Sequence, residues 1–498
     1  MTLTGQSLIA GQWQGRAEQG EFQAFSPAKN QPLSTRYFNV TSTQLNTAVD
    51  AADNAFIEYR KTSFSQRADF LECIAEQILA LGDDLLTQTA QETNLPMARL
   101  QGERMRTVNQ LKAFACALRE NPDSPLGLKL LDEADSNRSP LPKPRTELNY
   151  LPLGPVAVFG ASNFPYAFST LGGDTAAALA AGCPVVVKNH TAHPGTGELM
   201  ARAALAAIKE CDMPLGVFSM LQSDVYDISH QLVAAPAIKA VGFTGSFNVA
   251  RLLQETIAKR SEPIPFYGEL GSINPQIVLP KKAQNEGKAM AEALCQSMLM
   301  GNGQFCTSPG LWLVPTGCDE LEAEVANCIS AAASDTLLTP GIVKTFKKQV
   351  SQRSELENVE LIAKGALTED FHGNAHVFAC NVDTYLATPA LREEVFGPAA
   401  LLVRYESMEQ LSLLVAALEG QLTASVHDSA DDLAKAEHVI EELKYKVGRL
   451  IHNQMPTGVE VCGSMNHGGP FPSSTDVRST SVGLNAMLRF LRPICYQS

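Results

Sequence analysis

At 498 residues, with 45% hydrophobic and 18% charged residues, the chain exceeds what one ordinary core serves and lies outside the composition of disordered proteins. A net charge of −14 argues against nucleic acid or an anionic membrane as a partner held by a general electrostatic field. The 11 cysteines are odd in number and never closer than ten residues, which excludes a CxxC zinc or redox pattern, and no metal site is expected. Unpaired thiols point to a reducing compartment. The N-terminal MTLTGQSLIAGQWQGRA lacks the basic-then-apolar order of a signal segment, and the longest apolar run, TAAALAAGCPVVV, is broken by Gly and Pro. A cytoplasmic protein is expected.

In chain order, residues 42–120 read as helical. Ser42 is the expected N-cap of the first helix; others follow at 64–80, 83–92 and 98–119, the last started by Pro96. The stretch 121–145 is rich in Pro, Asp and Ser and reads as a loop. From 146 short apolar strands alternate with helices: PVAVFG (155–160), PVVVK (184–188), VFSML (217–221) and IKAVGFT (238–244), with helices at 171–181, 194–210, 225–234 and 246–259. That alternation predicts a parallel, doubly wound α/β sheet. A second alternating set follows residue 265: NPQIVL, a helix at 283–300, LWLVP, ALLVRY and LTASVHD. It predicts a second α/β domain.

Four places carry chemistry. In VGFTGSFNVAR a strand runs through Gly245 and Ser246 into a helix, exposing backbone N–H groups that suit a diphosphate, although glycine also serves plain turns. Lys188 ends the second strand, where ligands of open α/β sheets bind; the structural alternative is a snorkelling lysine. Glu269 in FYGELGSINP has apolar and glycine neighbours, so a raised pKa and a role as base are expected, against a helix-capping or ion-paired carboxylate. Cys306 lies in the glycine-rich loop GNGQFCTS (301–308), whereas Cys73, Cys116, Cys295 and Cys328 fall in apolar helical patterns and read as core or half-buried thiols.

Taken in order, ASNFP (161–165), VVVK (185–188), GFTGS (242–246), ELGSINP (269–275), GQFC (303–306) and EEVFGP (393–398) resemble the aldehyde dehydrogenase superfamily over nearly the whole chain. The forms RTVNQLKAFA, PIPFYGELGSINP and HGGPFPSSTDVRSTSVG look like the bacterial branch of α-ketoglutarate semialdehyde dehydrogenases and NADP-linked fatty aldehyde dehydrogenases. The resemblance implies an α/β fold of two doubly wound domains with a small strand flap for oligomer contacts. The cofactor-binding domain would span 1–142 and 153–265, the catalytic domain 266–475, and the flap 143–152 with 476–498. It also implies a homodimer or a dimer of dimers. Cys306 would add to the aldehyde as nucleophile, Asn163 and the Cys306 backbone N–H would hold the oxyanion, and Glu269 would activate the hydrolytic water. Lys188 and Glu394 would bind ribose hydroxyls, Phe396 would flank the nicotinamide end, and Gly245 and Ser246 would meet the diphosphate.

Thr191 stands where NAD-preferring relatives carry Glu, but LQSDVYDIS offers no arginine near Asp224 and Tyr226; NADP is expected, with NAD not excluded. Arg106 in GERMRTVNQL is the candidate for a substrate carboxylate, against a surface pair with Glu103. Phe164, Phe168 and Phe305 are the candidate apolar lining. The expected reaction is oxidation of 2,5-dioxopentanoate to 2-oxoglutarate. The alternatives are a medium- or long-chain aldehyde dehydrogenase, a cofactor-independent Cys/Glu esterase or acyl transferase, and a non-catalytic scaffold.

Overall fold

The computed structural model describes residues 2–122, 124–429 and 432–498. Two seven-stranded sheets organise the chain. The first runs, edge to edge, Phe266–Glu269, Ala240–Thr244, Val156–Phe159, Val185–Lys188, Phe218–Leu221, Ser7–Ile9 and Gln12–Gln14. Its first five strands are parallel and the N-terminal pair closes the far edge antiparallel. The apolar runs VAVF and VVVK are buried on both faces. Val156, Val158, Val185 and Val187 join the core under helices Phe64–Ala80 and Met97–Glu120, while Ala157, Phe159 and Val186 join the opposite core under helices Ser42–Tyr59 and Phe247–Ile257. Side chains alternate across a strand, so a strand covered by helices on both faces must be apolar throughout.

The second sheet runs Glu360–Lys364, His376–Asn381, Ala399–Tyr405, Leu311–Pro315, Gln276–Val278, Gln421–His427 and Val447–His452, parallel except for its first strand. A third sheet pairs the C-terminal strand Leu491–Gln497 with Thr146–Pro152, which in turn pairs with Leu130–Asp132. The stretch 121–145 is therefore not all loop: Leu130–Asp132 finds the free edge of Thr146–Pro152.

Strand order in the first sheet reverses beside Val156–Phe159. The chain moves from it toward Val185–Lys188 and Phe218–Leu221, then returns to its other side with Ala240–Thr244. Such a switch opens a crevice beyond the carboxyl ends of the strands. The loops after Phe159 and Thr244 and the strand-end Lys188 all lie at those ends.

Two local expectations are corrected. Thr41, not Ser42, caps the first helix: its hydroxyl accepts the Gln44 N–H and the Gln44 side chain accepts the Thr41 N–H, a reciprocal box that Ser42 cannot enter because it is the first helical residue. Cys116 is exposed rather than core, because the helix Met97–Glu120 turns Phe114, Ala115 and Leu118 inward instead.

Candidate active site

The strand Phe266–Glu269 pairs in parallel with Ala240–Thr244, placing Glu269 beside Thr244 at the carboxyl end of the first sheet. Along its other side runs the C-terminal segment. Thr475 N donates to the Gly268 carbonyl at 3.0 Å, Leu270 N to the Ser473 carbonyl at 2.8 Å, and Glu269 bridges Ser474. This docking delivers two side chains that the sequence reading did not single out, His467 and Ser481. His467 is fully buried; its Nε2 lies 2.9 Å from Glu269 Oε1 and 3.5 Å from Cys306 Sγ. The Ser481 hydroxyl donates to Glu269 Oε2 and lies 3.0 Å from the His467 carbonyl oxygen. The sequence signal was present in HGGPFPSSTDVRSTS, where only the family pattern was used; no spacing links residue 467 to 269 or 306.

Burial alone would raise the Glu269 carboxyl, as expected from its apolar neighbours. The net direction is the reverse: the His467 ring, then the Ser481 hydroxyl and the Cys306 thiol, hold it below the ordinary carboxylate value. The Cys306 thiol moves the other way, well above its usual value, through burial and then the negative charge of Glu269. His467 Nδ1 has no partner among the described residues. Both close contacts of the ring, to Glu269 Oε1 and to Cys306 Sγ, are therefore made through Nε2.

Cys306 sits in the loop between helix Pro280–Leu299 and strand Leu311–Pro315. The buried Asn274, on the loop after Glu269, donates its amide to the carbonyls of Cys306 and Ser308 at 2.9 Å each. Gly303 has φ +68°, and a Cβ there would overlap the Gly397 carbonyl, so the cysteine loop packs backbone to backbone against EEVFGP. Asn163 is buried after the strand Val156–Phe159; its Nδ2 donates to the Gln304 carbonyl at 3.0 Å and its own carbonyl accepts Arg99 Nη2 at 2.7 Å. Asn163 and Cys306 are thereby brought to one loop.

A cavity of about 740 Å³ opens onto Cys306 and is lined by Arg106, Phe164, Phe168, Phe305 and Arg449 among others. Phe164 packs edge-on against Phe305 and Phe168, with centroids 5.2 and 5.4 Å apart. The Arg106 guanidinium lies 5.3 Å over the Phe168 ring and donates Nη2 to the Val459 carbonyl at 3.4 Å, while its buried Nη1 has no partner among the described residues. Glu103 is not its surface partner: that carboxylate accepts the backbone N–H groups of Tyr166 and Ala167 at 2.8 and 3.0 Å. Arg449, not foreseen from sequence, is braced by Nη1 to the Gly458 carbonyl at 2.9 Å and Nη2 to the Pro456 carbonyl at 2.6 Å.

Of the expected cofactor residues, Lys188, Gly245 and Ser246 stand at the carboxyl ends of the first sheet. Lys188 is half-buried at its strand end, with no carboxylate at ion-pair distance among the described residues, and burial lowers its ammonium to about 8 against the opposing pull of Asp224. Ser246 is the N-cap of helix Phe247–Ile257, and Gly245 N donates to the Glu269 carbonyl at 3.1 Å. Thr191 is half-buried. Asp224 accepts Asn39 Nδ2 at 2.9 Å. Glu394 is turned inward against Gly271 and Ser272, and burial pushes its carboxyl up to about 8. Phe396 is half-buried beside it in sequence. A helix N-terminus, an uncompensated lysine and a sheet-end crevice fit a dinucleotide.

The model of the aldehyde dehydrogenase family matches residues 13–491. The chain belongs to the aldehyde dehydrogenase family. NAD(P)-dependent oxidation of an aldehyde is the activity that membership carries. Among curated relatives, alpha-ketoglutaric semialdehyde dehydrogenase 2 of Azospirillum brasilense is 44% identical, covering 100% of this chain and 95% of that protein. Alpha-ketoglutaric semialdehyde dehydrogenase of Acinetobacter baylyi is 39% identical, covering 99% of this chain and 94% of that protein. The fold matches the aldehyde dehydrogenase KauB from Pseudomonas aeruginosa with a TM-score of 0.83 at 20% identity, over 100% of this chain and 97% of that one. No helix among the described residues is long and apolar enough to cross a membrane.

Proposed function

We propose that the chain oxidises 2,5-dioxopentanoate to 2-oxoglutarate, with Cys306 as nucleophile, and prefers NADP+. The observation that carries the substrate is the pairing of Arg106 and Arg449 in the cavity that opens onto Cys306, with Arg106 Nη1 left without a partner among the described residues. A carboxylate at the far end of a short aldehyde satisfies that donor, and an alkyl chain does not. The two relatives named for α-ketoglutaric semialdehyde point the same way.

In this reading Cys306 Sγ adds to the aldehyde carbon and a thiohemiacetal forms. Asn163 Nδ2 and the Cys306 backbone N–H stabilise its oxyanion. Glu269 takes the thiol proton and later one from the hydrolytic water, held ionised and oriented by His467 and Ser481. A bound nicotinamide supplies the hydride acceptor that makes thioester formation possible. Lys188 and Glu394 hold the ribose, the latter after turning outward; Phe396 flanks the nicotinamide end, and Gly245 and Ser246 meet the diphosphate. Thr191, a neutral hydroxyl where a carboxylate would repel a 2′-phosphate, supports NADP+.

The first sheet and its helices form the cofactor-binding unit (1–142 and 153–265), to which the strand Phe266–Glu269 adds an edge across the expected boundary, and the second sheet forms the catalytic one within 266–475. The flap, 143–152 with 476–498, joined in the small third sheet by the strand Leu130–Asp132, serves oligomer contacts in a homodimer or dimer of dimers. Its open edge strand, Leu491–Gln497, supports that assignment, because an unpaired edge invites pairing. We place the enzyme in the cytoplasm. The substrate reading is tested by kcat/KM for 2,5-dioxopentanoate against hexanal. At least about tenfold preference for the acid is expected; preference for hexanal would replace it with the long-chain reading.

A further inference from the structure

We infer that Glu269, Cys306 and His467 form a three-ligand site for a zinc-class divalent cation, whose binding silences the thiol. Nothing in the aldehyde chemistry calls for a metal, so this is a second property of the same three side chains. Their ligand atoms, one carboxylate oxygen, Sγ and one ring nitrogen, all lie within 4.8 Å of one another. His467 Nε2 is 3.5 Å from Sγ and 2.9 Å from Glu269 Oε1.

Tetrahedral zinc, with bonds of about 2.0–2.3 Å, requires donor atoms about 3.3–3.6 Å apart. The sulfur–nitrogen separation already meets that requirement, and the nitrogen–oxygen separation needs to open by about half an ångström. Thiolate, imidazole and carboxylate together select zinc, cobalt or cadmium over magnesium or calcium, which take oxygen donors. The three ligands come from a strand end, a loop and the C-terminal segment, so all three sit on separately anchored backbone. Cys306 lines the 740 Å³ cavity, so the fourth coordination position faces that space.

Binding is a plain ligand exchange. The Cys306 S–H bond breaks and its proton leaves to solvent, the ring proton of His467 sits on Nδ1 so that Nε2 offers its lone pair, and S–metal, N–metal and O–metal bonds replace metal–water bonds without oxidation. The sulfur lone pair is then withheld from the aldehyde. Support behind the ligands is uneven. Ser481 fixes Glu269 Oε2, but His467 Nδ1 has no partner among the described residues. Loss of such a support typically lowers affinity by about 10- to 100-fold, which makes this a reversible site rather than a structural one.

The test uses the full chain, stripped with chelator, with Zn2+ followed by calorimetry and Co2+ by absorption. Wild type is expected to bind one zinc that protects Cys306 from iodoacetamide until chelator is added. Its cobalt adduct is expected to show a sulfur-to-metal charge-transfer band. The Cys306→Ser variant should lose the band and that zinc equivalent, and His467→Gln should bind at least about tenfold more weakly. A band that persists in Cys306→Ser assigns the metal to another thiol and overturns the proposal, as does absence of saturable zinc binding by wild type. Should His467→Gln fail to fold, the Cys306→Ser comparison decides alone. The metal readouts do not depend on turnover, so a failed dehydrogenase reading and a failed metal site are told apart by the metal-free wild-type assay.

Discussion

His467 Nε2 stands 2.9 Å from Glu269 Oε1, both side chains buried, at the junction of the first sheet and the C-terminal segment. The contact offsets the effect of burial on the carboxylate and holds it ionised below its ordinary pKa. A carboxylate with a depressed pKa works above that value and is lost as pH falls through it. Removing the ring leaves burial dominant, so Glu269 in His467→Gln should titrate at higher pH. The acid limb of the kcat profile should therefore move upward, with a fall in kcat at neutral pH of at least about tenfold. An unshifted acid limb would mean that His467 only packs. On the basic side, the elevated Cys306 thiol should make kcat/KM rise with pH into the alkaline range.

The strand–helix alternation predicted both sheets, because strands covered on both faces are apolar where they are covered: VAVF is buried throughout, and VVVK and AVGFT are buried up to the strand-end Lys188 and Thr244. Cys306, Glu269 and Asn163 were singled out through family motifs, and the folded chain brings Asn163 Nδ2 to the residue-304 carbonyl, two residues before the thiol. His467 and Ser481 were not legible as partners of Glu269. Their placement depends on one long-range docking, Thr475 on Gly268, that no local periodicity encodes. For the same reason Glu269 was expected to titrate high: its sequence neighbours are apolar, and the ring that faces it is almost two hundred residues away. Arg449 escaped notice because a lone arginine within the strand Val447–His452 is ordinary until a cavity is seen beside it.

Arg106→Ala and Arg449→Ala should each raise KM for 2,5-dioxopentanoate. A hydrogen bond to a charged group is worth about 1.5–3 kcal/mol, or roughly 10- to 100-fold. Kinetics on hexanal should change far less. Equal losses on both aldehydes would assign the two guanidinium groups to cavity architecture rather than to the carboxylate.

Thr191→Glu should reverse the cofactor preference. A carboxylate beside the 2′-phosphate should raise KM for NADP+ by at least about tenfold while leaving NAD+ nearly unchanged, since repulsion acts on only one of the two. Steady-state kinetics with both dinucleotides would check this. If wild type already prefers NAD+, the NADP+ proposal is wrong.

Gly303→Ala and Gly317→Ala form a contrasting pair. Both residues have positive φ, so each substitution costs about 1–2 kcal/mol of backbone strain. At Gly317 nothing lies within 4 Å of the new Cβ, whereas at Gly303 it meets the Gly397 carbonyl. Gly303→Ala should therefore lower Tm further and also lower kcat, because the cysteine loop must move. Gly317→Ala should leave kcat intact.

The central claim is covalent oxidation of an aldehyde at Cys306, and NADPH formation reads it most directly. Wild type with 2,5-dioxopentanoate and NADP+ should show sustained growth of the NADPH absorbance, and the Cys306→Ser variant, with cofactor binding intact, should show none. Undiminished turnover by Cys306→Ser, or silence from wild type across short, long and acidic aldehydes with either dinucleotide, would contradict it.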